Sequence, residues 1–186
     1  MPKYIAFLRG INVSGHHKVP MAELKAMMIK WGFHNPVTLL NSGNIIFESE
    51  DLSIDKIESD LSDKLTEHFG FIIPVMLRGA GQLEQLVLAD PFKHIEQTEH
   101  IRLCVSFIRS NGKPPVQLPW SSEDNSYRIL EITDNIIISV LDLSVTKTTK
   151  GMDTLEKFFG KDITTRNWNT IMRITKKLVV KFELHG

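Results

Sequence analysis

Cysteine is almost missing from this chain of 186 residues: Cys104 stands alone, inside the apolar run Leu103-Cys104-Val105. One cysteine excludes an intramolecular disulfide and suits a reducing compartment. A thiol in such a run reads as a small, buried, inert hydrophobe. An excess of one charge is missing too, since Lys+Arg and Asp+Glu balance at 22 each. No global field draws the protein to nucleic acid or to an anionic membrane, so any anion site has to be local. No run approaches the ~20 apolar residues of a membrane span, which argues against a membrane partner. The opening Met-Pro-Lys-Tyr-Ile-Ala-Phe-Leu-Arg has too short an apolar stretch for a signal peptide. Together these absences point to a cytoplasmic protein.

Catalytic and cofactor signatures are missing as well. The sequence contains no G-x-x-x-x-G-K-[ST], G-x-S-x-G or H-E-x-x-H, and no aromatic RNP pattern of the RNA-recognition sheet. His16-His17 is adjacent rather than spaced for a metal, and His94 with His100 fits no ligand pattern, so no metal site is expected. Cys104 has no flanking motif of a nucleophile. No general base stands out, so the residues imply neither a cofactor nor a catalytic mechanism.

What is present is an ordinary globular composition, 42% apolar and 24% charged, in a chain long enough to bury a sizeable core. Tyr4 to Leu8 is a short β-type run ending at Arg9-Gly10. Pro20 opens a helix whose apolar residues Met21, Leu24, Met28 and Trp31 recur at helical spacing before Gly32 stops it. Val37 to Leu40 and Ile45 to Phe47 read as strands joined by the turn Asn41-Ser42-Gly43-Asn44. Ser53 caps a second helix with the stripe Ile54, Ile57, Leu61, Leu65 and Phe69, stopped by Gly70. Ile72 to Leu77 is a fourth strand, ending at Arg78-Gly79. The order β-α-β-β-α-β over residues 1–79 is the ferredoxin-like pattern, so the fold class is α+β.

Residues 80–98 read as a helical connection, with Leu83, Leu86 and Val87 marking a short helix before Pro91. Residues 99–186 read as a second, smaller α+β subdomain. Its elements are a strand at Ile101 to Ile108, a loop at Lys113 to Trp120, and a hairpin of Tyr127 to Thr133 with Ile136 to Leu141. Helices are expected at about Met152 to Phe159 and Thr165 to Lys177, with Val179 to Phe182 as a last strand or helical tail.

In the ferredoxin-like topology the end of the first strand, the start of the first helix and the turn between strands two and three share one edge. Arg9, Asn12, Lys18, Ser42 and Asn44 meet there with the N–H groups of a helix start, which are the parts of an anion site. Each part also has a plainer use, as a surface ion pair or a turn residue. A second polar set lies in Thr164-Thr-Arg-Asn-Trp-Asn-Thr170. If a threonine caps a helix there, Trp168, Ile171, Met172, Thr175 and Leu178 form its buried stripe. Arg166, Asn169, Arg173 and Lys177 then line the opposite face.

Phe7-Leu-Arg-Gly-Ile-Asn-Val, Lys18-Val-Pro-Met-Ala-Glu-Leu, Ser42-Gly-Asn with Phe47, and the 164–170 segment resemble the bacterial domain-of-unknown-function family 1697. With anchors near both ends, the likeness extends over nearly the whole chain. It implies a compact α+β protein with a ferredoxin-like N-terminal part, and no activity. The leading expectation is a protein that binds an anionic, phosphorylated small ligand. Arg9, Asn12, Lys18, Ser42 and Asn44 would form the site, and Arg166, Asn169 and Arg173 would close it. The competing class is a structural or interaction module in which the same polar residues cement chain segments. A third is a weak nucleic-acid binder using Arg166, Arg173 and Lys177 with Lys147 and Lys150. Ligand identity, enzymatic status and oligomeric state do not follow from the residues.

Overall fold

The computed structural model describes residues 1–109 and 116–180. Strands and helices alternate as β1 (Lys3–Leu8), α1 (Met21–Lys30), β2 (His34–Leu39), β3 (Asn44–Glu48), α2 (Ile54–Phe69), β4 (Val75–Gly79) and α3 (Ala80–Ala89). They continue as β5 (Ile101–Ile108), β6 (Trp120–Ser121), β7 (Tyr127–Thr133), β8 (Ile136–Asp142), α4 (Thr149–Phe159), β9 (Ile163–Asn167) and α5 (Trp168–Val180). The fold is α+β with two antiparallel sheets. One has the order β2-β3-β1-β4 and the other β6-β7-β8-β5-β9. Among the described residues no helix is long and apolar enough to cross a membrane.

The chain divides into two compact units. The first is Met1–Gln85 with the chain from Ile174 onward, and the second is Leu86–Arg173. In the first unit, β1 sits between β3 and β4, with Phe7 opposite Asn44 and Met76. Alternation sends Tyr4, Ala6 and Leu8 of β1 to the face that also carries Ile45, Phe47, Val75 and Leu77. Leu24 and Met28 of α1 and Ile57, Leu61 and Leu65 of α2 close that face. Each fully buried leucine in this layer contributes roughly 1.5–3 kcal/mol. Ser53 caps α2 through Lys56 N at 3.4 Å, and Gly70 ends it at φ +78°.

One polar pair lies inside this unit. Glu58 and Arg78 are 2% and 4% exposed. Glu58 Oε1 accepts from Leu77 N at 2.6 Å and lies 3.8 Å from Arg78 Nη1. The carboxylate thus spends itself on β4 as well as on the guanidinium, which is how a buried charge is tolerated.

In the second unit, β5 is flanked by β8 and β9, and β7–β8 is the hairpin turned by Asp134-Asn135, both at positive φ. Tyr127, Ile129, Ile137, Leu141, Ile163 and Leu155 form a core with α4.

The 164–170 segment differs from its expected helix. Residues 163–167 form β9, with Ser106 opposite Thr165 and Val105 opposite Arg166, and the helix begins only at Trp168. The cause is local and tertiary together: Ile163-Thr164-Thr165 is β-branched, and β5 offers an edge for it to complete. The expected stripe survives at Trp168, Ile171, Thr175 and Leu178, but Ile174 is buried and Met172 is 40% exposed. Arg166 consequently does not belong to the helix face at all. Two further expectations shift: β4 starts at Val75 rather than Ile72, and Trp120–Ser121 pairs with β7 as a short strand. Of the loop expected from Lys113 to Trp120, the first three residues lie outside the described residues, as do Lys181 and Phe182 of the expected C-terminal element.

Candidate functional site

The β1–α1 loop carries the first group of expected site residues, and its conformation is set by Asn12. Asn12 has φ +53°, in the left-handed region that asparagine tolerates better than most residues. Its Nδ2 donates to Asn41 O at 2.8 Å and to Val19 O at 3.0 Å, and its Oδ1 accepts from Val19 N at 2.8 Å. One amide therefore ties the loop to the residue before Pro20 and to the β2–β3 turn. Backbone bonds reinforce this arrangement, from Asn12 N to His17 O and from Leu8 N to Gly43 O.

Asn44 performs the same service on the other side. It is fully buried, and its Nδ2 donates to Leu39 O at 2.9 Å and to Ser42 Oγ at 3.0 Å. Gly43 has φ +77°, and a Cβ there would sit 2.7 Å from Ile11 Cδ1 and 2.8 Å from Leu8 Cβ. Only glycine lets the turn lie this close to the end of β1. His17 stacks on Phe71 at 4.4 Å, and its Nδ1 lies 3.1 Å from Gly10 O. The imidazole thus packs on the unit's own surface.

The expected residues Arg9, Asn12, Lys18, Ser42 and Asn44 therefore do meet at one edge of the first unit, but they divide by use. Asn12 and Asn44 are committed to backbone groups, and Ser42 accepts from Asn44. Arg9 is half-buried, with its backbone N–H on Pro74 O, and Lys18 is exposed beside the start of α1. That helix begins after Pro20 with no side-chain cap, and Glu23 in its first turn is bonded to His68 at 2.8 Å.

In the second unit, Arg166 is 8% exposed, and its Nη1 donates to Thr164 Oγ1 at 2.8 Å and to Thr165 O at 2.9 Å. Burial pulls its guanidinium down to about 10, still charged at neutral pH. A cation held this way bonds back into β9 itself and is not part of an exposed stripe. Trp168 packs edge-on against Phe92, ring centres 5.2 Å apart. Asn169 and Arg173 are exposed on α5. Asn169 borders an open groove of about 310 Å³ with Asn167, Trp168, Arg102, Gln97 and Thr98. Lys150, expected in a nucleic-acid stripe, is paired with Asp124. Cys104 is partly buried, and its thiol is pushed up to about 11 by burial, so it stays protonated at neutral pH. Among the described residues no three His, Cys, Asp or Glu side chains gather as a metal-ligand set.

Glu58, Arg78, Tyr127 and Ser139 carry little signal in the sequence: Glu58 looks like a solvent-facing helix residue, Arg78 like the end of a strand, and Tyr127 and Ser139 like ordinary strand residues.

Comparison with known proteins gives a family and a fold. The chain resembles a solved structure, a conserved bacterial protein SP0830 from Streptococcus pneumoniae, with a TM-score of 0.71. The match covers 94% of this chain and 97% of that one at 23% sequence identity, a likeness that carries the fold alone. No curated protein matches the chain. The model of the DUF1697 family, described as proteins of unknown function, matches residues 1–137, well over half of the chain. The chain belongs to the DUF1697 family.

Proposed function

We propose that this is a cytoplasmic binding protein whose first unit is ferredoxin-like and takes a small anionic, phosphorylated ligand at the edge shared by β1, α1 and the β2–β3 turn. The all-antiparallel order β2-β3-β1-β4, with both helices on one face, supports the topological part of this reading. The observation that carries the ligand part is the Asn12 bracket, which ties three chain segments into one rim. Arg9 and Lys18 are the cations on that rim, and the first-turn N–H groups of α1 add a positive end. Asn12, Ser42 and Asn44 hold the rim in shape, with Arg9 as the forked donor for oxyanions. Arg166 is left out of the site because it is buried within its own unit.

A second reading has one observation in its favour. Asn12 and Asn44 bond backbone carbonyls, as a purely structural module would require. A thermal-shift series with inorganic phosphate, pyrophosphate and ribose 5-phosphate separates the two. Ligand binding at 100 times Kd stabilises by about 2.7 kcal/mol, and a phosphate contact weakens with salt. A shift present in the wild type, absent in Arg9→Ala and reduced in Lys18→Ala supports the binding reading. No shift with any of the three probes, or one that survives both substitutions, leaves the structural reading standing.

A further inference from the structure

Beneath α4, on the face of the second sheet that carries Cys104, Ser139 and Tyr127, lies a cavity of about 280 Å³. Gly151 shapes it: an added Cβ would stand 3.2 Å from Tyr127 Cε2, so the helix backbone approaches the ring closely. Two of the lining side chains are deeply buried hydroxyl groups. Tyr127 is 1% exposed and Ser139 is fully buried, and neither Tyr127 Oη nor Ser139 Oγ has a hydrogen-bond partner. Thr165, which lines the same cavity, is satisfied by Ser106 Oγ at 2.7 Å and Met152 Sδ at 2.9 Å. Buried hydroxyls without partners are rare and costly, and two in one cavity ask for an occupant that satisfies both.

The lining changes character from floor to mouth. Burial raises the Tyr127 phenol well above its ordinary value, and Ser139 Oγ is near enough to oppose that rise without closing a hydrogen bond of good geometry, so the floor is uncharged and can both donate and accept. Leu141, Met152 and Leu155 make the walls apolar. Arg102 is exposed at the lining, and its Nη1 donates to Glu99 O at 2.7 Å and to Ile101 O at 3.3 Å. The first turn of α4 contains no acidic residue, and Thr148 ahead of it makes no side-chain cap bond. Positive charge therefore gathers around the cavity, with Arg102 and a helix start among its lining.

We propose that this cavity binds a small aromatic hydroxy acid, its uncharged hydroxyl on Tyr127 Oη and Ser139 Oγ and its carboxylate towards Arg102. The site lies wholly within the second unit and is independent of the Arg9 edge.

Isothermal titration of the full chain with 4-hydroxyphenylacetate, phenylacetate and 4-methylphenol tests it. The wild type should bind 4-hydroxyphenylacetate about tenfold more tightly than phenylacetate, the worth of a buried hydrogen bond. Tyr127→Phe should erase that preference and leave phenylacetate affinity unchanged. It should also melt no lower than the wild type, because the hydroxyl it loses has no partner. Arg102→Gln should weaken both acids and spare 4-methylphenol. Ser139→Ala gives the same reading as Tyr127→Phe should the latter fold poorly. Failure of 4-hydroxyphenylacetate to bind at millimolar concentration, equal affinity for the two acids, or a preference retained in both floor variants would each overturn the proposal.

Discussion

Replacing Asn12 by alanine removes three hydrogen bonds at once and leaves a residue at φ +53° without the side chain that made the conformation tolerable. At about 1 kcal/mol net per bond, the bracket contributes roughly 3 kcal/mol. The backbone conformation adds roughly 1 kcal/mol for a residue with a Cβ. Water can reach the Asn41 end, which is exposed, so part of the loss is recovered and the expected cost is about 2–4 kcal/mol. For a chain of this size that is a fall in melting temperature of roughly 5–15 °C. Two further substitutions divide the total. Asn12→Gly keeps the conformation and loses the bonds, so it should be about 1 kcal/mol milder than alanine. Asn12→Asp keeps the acceptor for Val19 N but sets a carboxylate against two carbonyl oxygens, so it should be at least as damaging as alanine. Urea denaturation of the three variants measures the series. An alanine variant within about 0.5 kcal/mol of wild type, or a glycine variant worse than alanine, would refute the bracket as the element that fixes this loop.

Gly43→Ala should cost about 2–4 kcal/mol in the same assay, because its Cβ meets Ile11 and Leu8 below 3 Å and its φ is +77°; a neutral result would mean the turn can lift away from β1. Glu58→Gln should cost about 3 kcal/mol by leaving the buried Arg78 cation uncompensated, and the double variant with Arg78→Met should be milder than the sum of the singles. Cys104 carries a pH dependence of definite sign. Its folded pKa, about 11, lies above its ordinary value of 9.0, so the protection it gives is complete below pH 9 and disappears as pH rises through 11. A rise of that size corresponds to about 2–3 kcal/mol, so Cys104→Ala should flatten the fall in urea midpoint across the interval between those two values. Iodoacetamide should alkylate the native thiol slowly at about pH 8 and rapidly in urea.

The legible parts of the chain were those where local chemistry and tertiary pairing agree. Ser53 and Gly70 bound α2 because a hydroxyl cap and a left-handed glycine work without reference to the rest of the fold. Ile101–Ile108 and the hairpin around Asp134-Asn135 are strands because their composition and their turn demand it. The misreading at Thr164 has the opposite origin. A helical stripe does run through Trp168, Ile171, Thr175 and Leu178, and extending it backwards by three residues placed Arg166 on a helix. What stopped the helix at Trp168 was the free edge of β5, far earlier in the chain, which no local window contains.

The same division separates conspicuous polar residues from useful ones. Asparagines in loops and at strand ends draw the eye because they depart from the usual composition of a helix or strand, yet Asn12 in its loop and Asn44 at the start of β3 satisfy backbone groups that a turn leaves over. Tyr127 and Ser139 draw no attention, since a tyrosine opening an alternating strand and a serine inside a continuously buried one look like ordinary sheet residues. Only the third dimension shows that Ser139 lies opposite Cys104 and that both hydroxyls line one cavity beneath Gly151. A polar residue that is already bonded explains itself. One that is buried and unpaired does not, and that is why the floor beneath α4, more than the asparagine-rich loops, calls for a ligand.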